Sequence, residues 1–327
     1  MPNSRYFSVI LLLVSFAISA EAARCSVCKN ALSGSYLTAE GKSFCSKLCH
    51  RRTLPTCASC KEHVSGSFVI SEGKSYCGKK CLNISLPKCT LCAQPLRQMF
   101  TINGKKYCKA HADGHRCFGC GLPFDAGKLL KDGRKQCATC AKSAIFDPAN
   151  GLARLRQARA QLKAVTGIVS ASLPKLKLVD RPSLLRVMGE QGHMPDQMTA
   201  RGFYRRNERT ETRSFAGRVV SADTEVSETI FILSGLTPDQ FLITAIHELT
   251  HDLISETYRP IADLPRDLEE GLCQYTAAMY CRKQGWMQDY ITIDKSPDPI
   301  YGGGFRKVHK RFGNHNWKAI DRWLRTR

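Results

Sequence analysis

Fifteen of the 17 cysteines in this 327-residue chain lie between Cys25 and Cys140, in four copies of one spacing. The copies are CSVCKNALSGSYLTAEGKSFCSKLC, CASCKEHVSGSFVISEGKSYCGKKC, CTLCAQPLRQMFTINGKKYCKAH and CFGCGLPFDAGKLLKDGRKQCATC. Each is two ligand pairs with 15 or 16 residues between them: Cys25/Cys28 with Cys45/Cys49, Cys57/Cys60 with Cys77/Cys81, Cys89/Cys92 with Cys108/His111, and Cys117/Cys120 with Cys137/Cys140. Two cysteines separated by two or three residues can both turn onto one tetrahedral ion, and a second such pair closes the coordination sphere. Such a site is structural. His111 in the last ligand position of the third copy supports metal over disulfides, since imidazole replaces thiolate on zinc but cannot cross-link.

Between the pairs, Gly41-Lys42, Gly73-Lys74, Gly104-Lys105 and Gly133-Arg134 mark turns of short hairpins. Modules this small have no core of their own, so metal binding, about 10 kcal/mol per structural zinc, becomes their folding energy. The competing reading is a disulfide ladder, which an oxidising compartment favours. The modules resemble LIM domains in internal spacing and in the aromatic residues Phe44, Tyr76 and Tyr107 just before the second pair. They depart from that family between knuckles. A LIM domain joins its two knuckles by two residues, whereas seven, seven and five separate the successive sets here.

Charge follows the same division. Residues 24–142 hold 21 Lys and Arg against 6 Asp and Glu, and residues 143–327 hold 27 against 21. The first excess, +15, falls to +8 once thiolates on four zinc ions are counted, which weakens the case for a nucleic-acid partner. At the N-terminus, Arg5, the uncharged stretch Tyr6 to Ala20 and the motif Ala20-Glu21-Ala22 read as an export signal spanning residues 1–22. The alternative, a membrane anchor, needs roughly 20 apolar residues. No later segment is apolar enough to span a bilayer, so the expectation is a secreted or periplasmic chain with no membrane span after cleavage.

Residues 143–164, rich in Ala, Arg, Leu and Gln, are expected to form a helical linker beginning near Pro148. Leu176–Val179 and Thr229–Leu233 read as strands. In TPDQFLITAIHELTHDLISE, Thr237 suits an N-cap, Pro238 the first helical position, and Gln240 would complete a capping box. His247 and His251, four apart on this helix, project from one face with Glu248 between them in sequence. That HExxH arrangement supplies two zinc ligands and a general base. The bland alternative is a pair of partly buried histidines on an amphipathic helix.

LPRDLEEGLCQYTAAMY follows, with a second helix starting at Pro265 and Glu270 after His251 with 18 residues between them. This spacing resembles gluzincin peptidases, whose third ligand is a Glu on the next helix, often directly before Gly as Glu270 precedes Gly271. The resemblance implies His247, His251 and Glu270 as ligands, with Glu248 as base. Glu269 is the neighbouring alternative ligand, and its own explanation is an acid favoured in a first helical turn. Gln274, one turn on, is a candidate to orient a histidine. Tyr301, His309 and His315 are candidate second donors to an oxyanion, Tyr301 being the choice. Thr229–Leu233 is the candidate edge for an extended substrate.

Taken together, SETIFILSGLTPDQFLITAIHELTHDL, EEGLCQYTA and DPIYGGGFRK resemble the catalytic domain of the plant ubiquitin-activated peptidases that limit organ size, which also carry LIM knuckles ahead of the peptidase. The similarity covers about residues 165–327. There is no acidic ubiquitin-interacting helix, and export takes the chain away from ubiquitin, so that regulation is not expected; the signal suggests a bacterial relative. The expected fold is α+β, a zincin-like metallopeptidase domain over residues 165–327 behind a LIM-like array over 23–142. The expected function is zinc-dependent endoproteolysis of a protein or peptide substrate, with one catalytic and four structural Zn²⁺ and the array recognising substrate or partner. Its rival is a non-catalytic adaptor using the basic zinc array.

Overall fold

A computed structural model describes residues 23–64, 66–190, 200–215, 218–259 and 263–327; the expected export signal lies outside the described residues. The fold is mixed α+β with small cysteine-rich clusters. Each cysteine set is a hairpin followed by a short helix: β1 (Leu37–Ala39), β2 (Lys42–Phe44) and α1 (Lys47–Arg51), then β3 (Val69–Ser71), β4 (Lys74–Tyr76) and α2 (Lys79–Ser85). The third set carries β5 (Phe100–Ile102), β6 (Lys105–Tyr107) and α3 (Lys109–Ala112), and the fourth β7 (Gly127–Leu129), β8 (Lys135–Cys137) and α4 (Ala138–Ser143).

The repeat extends to single backbone angles. Glu40-Gly41, Glu72-Gly73 and Asn103-Gly104 all have positive φ, the paired left-handed conformation of a two-residue hairpin turn whose twist matches the strands. The turn therefore sits one residue earlier than expected, and each following lysine opens the second strand. After each first pair, Lys29, Lys61, Ala93 and Gly121 are also left-handed, and their N–H groups bond the carbonyls of Cys25, Cys57, Cys89 and Cys117 at 2.8–3.0 Å. Phe44, Tyr76 and Tyr107 are buried beside the ligands and supply much of each module's small apolar interior.

The chain divides into two compact units, residues 1–99 with 106–108, and residues 100–105 with 109–327. Composition changes near residue 142, but packing places the fourth cysteine set in the second unit. There Phe118 packs against the main core, and three guanidinium groups, of Arg134, Arg181 and Arg201, surround its ring at 4.6, 5.4 and 5.6 Å. The expected linker helix is α5 (Pro148–Thr166), opened by Asp147, whose carboxylate accepts from the Asn150 N–H at 2.8 Å. It is a core element: Leu155, Ala158 and Leu162 are buried in the same cluster as the HExxH helix.

The rest of the second unit comprises β9 (Lys175–Val179), α6 (Arg181–Glu190), β10 (Gly202–Phe215), β11 (Arg218–Leu233), α7 (Pro238–Thr257), α8 (Arg266–Gln284), α9 (Met287–Asp294), α10 (Tyr301–Phe312) and α11 (Trp317–Arg325). The sheet order is β10-β11-β9, with β10 antiparallel and β9 parallel to β11. Thr229–Leu233 is consequently the central segment, paired to Lys175–Val179 on one side, with Gly202–Arg205 opposite Thr229–Ile232 on the other. That corrects the expectation of a substrate edge there: both hydrogen-bonding sides are already used, and Ile230–Leu233 are buried, as in strands covered on both faces. Among the described residues the outer strands of this sheet are β9 and β10, and β10 is the one that lines the cleft. No helix among the described residues is long and apolar enough to cross a membrane.

Candidate metal centre and cleft

α7 begins with Pro238 at the first helical position behind Thr237, but Thr237 makes no side-chain cap bond. The expected capping box is absent because the Gln240 amide is used elsewhere, donating to the Gly119 carbonyl of the fourth cysteine set. Two turns on, α7 is apolar on most of its circumference, and His247 and His251 turn toward α8. The helices are locked one turn beyond by the buried Thr250 and Thr276 hydroxyls, 2.6 Å apart.

Glu270 on α8 meets both rings. Its Oε2 lies 3.2 Å from His247 Nε2 and 3.4 Å from His251 Nε2. Ligand atoms at about 2.05 Å from a tetrahedral ion are about 3.3 Å from one another, so each of the two separations from Glu270 is that of ligands sharing one zinc ion, while the donor atoms grouped within 4.8 Å of one another here are those of His247, His251 and Cys273. Glu269, the neighbouring candidate, instead accepts from His251 Nδ1 at 3.0 Å, which leaves Nε2 facing Glu270. The orienting role considered for Gln274 thus falls to Glu269.

All three sequence-derived metal residues, Glu248 and Tyr301 line one cleft of about 250 Å³ with Gly202, Tyr204, Arg205, Arg206, Arg259 and Arg266. The Tyr301 ring centre is 6.2 Å from that of His247. His309 and His315 are elsewhere: His309 Nε2 pairs with Asn314 Oδ1 at 2.8 Å, and the His315 backbone N–H points to Met279 Sδ. β10 crosses the cleft with its backbone against Glu248. A Cβ on Gly202 would stand 2.6 Å from Glu248 Oε1 and from Thr244 Cγ2, so only glycine admits this approach. Tyr204 stacks parallel to His251 at 6.3 Å, and its hydroxyl donates to Glu228, which also accepts from Arg206, both at 2.8 Å.

Three carboxylates, those of Glu248, Glu269 and Glu270, stand close to the two imidazoles. Burial pushes the Glu248 carboxyl above its ordinary value, against the pull of both histidines. Burial acts likewise on Glu270, but His251 and His247 outweigh it and hold the carboxylate far below the usual range. For His251, burial favours the neutral ring, yet Cys273 and Glu270 beside it raise its value well above normal. In the absence of a cation, a histidinium supplies the positive charge that these carboxylates need; a divalent ion would supply it instead.

Cys273 was not singled out from the sequence. It sits one turn beyond Glu270, fully buried, with its thiol pushed up to about 12 by burial, and its Sγ lies within 4.8 Å of one nitrogen of each histidine. Gly202, Tyr204 and Glu269 were likewise invisible as site residues or assigned differently. The places of Gly202 and Tyr204 depend on β10 passing over α7, and that of Glu269 on α8 packing against α7, neither of which a local pattern announces.

The donor atoms of each of the four cysteine sets also lie within 4.8 Å of one another. Backbone N–H groups, first those of Cys28 and Cys60, draw the Cys25 and Cys57 thiols down to about 6, while neighbouring thiols push Cys45 and Cys77 up to about 12. Ionising all four sulfurs together therefore calls for a cation at the centre, and the donor chemistry fits zinc. None of the array cysteines is in a disulfide. The chain matches no known family model and no curated protein sequence.

Proposed function

We propose that the chain is an exported zinc-dependent endopeptidase. The observation that carries this reading is the meeting of Glu270 with His247 and with His251, each at a zinc-ligand separation, beside a buried Glu248 in a cleft crossed by β10. Zinc held by the three would polarise the scissile carbonyl and acidify water. Glu248, its carboxyl raised by burial, accepts the proton of the attacking water and delivers it to the departing amine. The Gly202–Arg206 stretch of β10 offers its outer edge to an extended peptide, which gains main-chain hydrogen bonds along it. The Tyr301 hydroxyl, kept protonated by burial and by Glu270 and Glu248, is a donor for the developing oxyanion. The cysteine sets of the first unit are left to bind the partner or protein substrate.

The test is cleavage of a denatured protein mixture by wild type and Glu248→Gln, with the new termini mapped. Glu248→Gln should retain the metal and lose cleavage, because an amide cannot accept the proton; Glu270→Ala should lose the metal itself. An equally active Glu248→Gln protein, or no zinc-dependent termini from wild type, refutes the mechanism and leaves the adaptor reading.

A further inference from the structure

The fourth cysteine set is joined to the turn that launches α7 by contacts on both of its strands of ligands. From the first pair, the Gly119 carbonyl, between Cys117 and Cys120, accepts the Gln240 amide of α7. From the second, the buried Gln136, next to Cys137, donates Nε2 to the Gly235 carbonyl at 2.5 Å, three residues before α7 begins. Past the last ligand, Ile145 exchanges two backbone bonds with the same turn, Ile145 N–H to Leu236 O at 2.9 Å and Gly235 N–H to Ile145 O at 2.6 Å. The fit is tight. A Cβ on Gly119 would meet Cys140 Sγ at 2.9 Å and Thr237 Cγ2 at 3.2 Å, so a ligand cysteine, the knuckle backbone and the helix N-cap touch at one point.

We propose that the metal of Cys117/Cys120/Cys137/Cys140 braces the helix that carries His247 and His251, coupling a structural metal site to the catalytic one. The inference rests on reading α7 as the catalytic helix. Gln240 and His247 are seven residues apart, about 10 Å along a helix, and nothing in a straight helix absorbs a displacement between them. With metal bound, both cysteine pairs and hence both glutamine contacts are held in one geometry. Without it, the Gly119 and Gln136 segments keep the β7–β8 ladder and the Phe118 N–H to Lys135 O bond but lose the link through their ligands, and the turn before α7 keeps its Ile145 bonds while its two glutamine contacts slacken. Gln136 and Gln240 are thus positioning residues.

Linkage makes the coupling reciprocal, so it is measurable in both directions and without any peptidase assay. The full-length chain, zinc retained in the cysteine sets, is reconstituted with cobalt at His247/His251/Glu270. Gln240→Glu and Gln136→Glu, which remove the donor at nearly constant volume, should weaken cobalt binding about 5-fold or more and shift its visible band, with thiolate-bound zinc unchanged. Gln240→Met serves if a buried carboxylate prevents folding. In the wild-type chain, the zinc of the fourth set, titrated at equilibrium against a competing chelator, should be held about 5-fold more tightly when the histidine site is filled than when it is empty. Wild-type cobalt affinity and spectrum in the folded variants, or zinc affinity of the fourth set indifferent to the histidine site, overturns the coupling. Because neither readout needs turnover, an inactive protein that still shows coupling would refute the peptidase assignment alone.

Discussion

Replacing Gly271 by alanine sets two known effects against each other at the residue next to Glu270. Alanine in a helix interior is worth about 1 kcal/mol over glycine, so propensity alone says the change stabilises α8. Packing says the reverse. A Cβ on Gly271 would lie 2.5 Å from the backbone carbon and oxygen of Gly304 on α10, and these are main-chain atoms that cannot rotate away. Restoring ordinary contact, near 3.4 Å, requires the two helices to part by about 1 Å in a close-packed interior. Overpacking of that kind costs about 1–3 kcal/mol, leaving a net loss of up to about 2 kcal/mol after the propensity gain. For a unit of this size that lowers the melting temperature by roughly 2–8 °C. The parting also moves Glu270 away from the histidines or Tyr301 away from the cleft, and a 1 Å misplacement of a reacting group costs on the order of 100-fold in rate. Gly303→Ala is the control, because its Cβ would meet only Asp298 O at 3.6 Å, an ordinary contact. Thermal unfolding of both variants, with zinc counted after purification, should show Gly271→Ala melting lower and Gly303→Ala unchanged or higher. Should Gly271→Ala melt as high as Gly303→Ala, α8 and α10 do not approach as described and the reasoning fails.

Gly202→Ala should keep its zinc and lose turnover, since the new methyl displaces the Glu248 carboxylate rather than a ligand; metal content and kcat measured on one preparation decide it. Glu269→Ala should weaken metal binding roughly 10–100-fold without abolishing it, as removing an orienting partner does, and a complete loss would make Glu269 a ligand. In the metal-free protein, the raised His251 contributes stability below its unfolded value of about 6.5 and loses it as pH rises through the folded value; the depressed Glu270 contributes above about 4.3 and loses it in acid. Metal-free stability from this pair should therefore be full between about pH 4.3 and 6.5, and zinc binding near neutral pH should release a proton, seen as a calorimetric heat that varies with buffer ionisation enthalpy. A fragment starting at residue 165 lacks the buried Leu155 and Leu162, each worth about 2–5 kcal/mol, and should be insoluble, whereas one starting at residue 113 should fold; a soluble, cooperatively melting shorter fragment would contradict the core described for α5.

The donor clusters of this chain were legible because they rest on short-range spacing. Two cysteines separated by two or three residues, a left-handed residue after them and a glycine turn are local geometry, so the four clusters could be read directly, down to His111 in the third. His247 and His251 share a helix face by periodicity alone, and Glu248 follows from its place between them. The domain plan was less legible, because composition records what a segment binds and not what it packs against: Phe118 and Gln136 belong to a cysteine knuckle by sequence and to the α7 core by contact. Strand order was hidden for the same reason. Thr229–Leu233 has the apolar run of a strand, but whether it lies at an edge depends on β9 and β10 pairing with it, and those contacts span about 25 to 55 residues of chain. Tertiary structure alone brought β10 across Glu248, gave Glu269 to His251 and set Cys273 beneath the histidines. Each of these is a meeting of segments distant in sequence, chosen by the burial of one shared core rather than by any preference written into the segment itself.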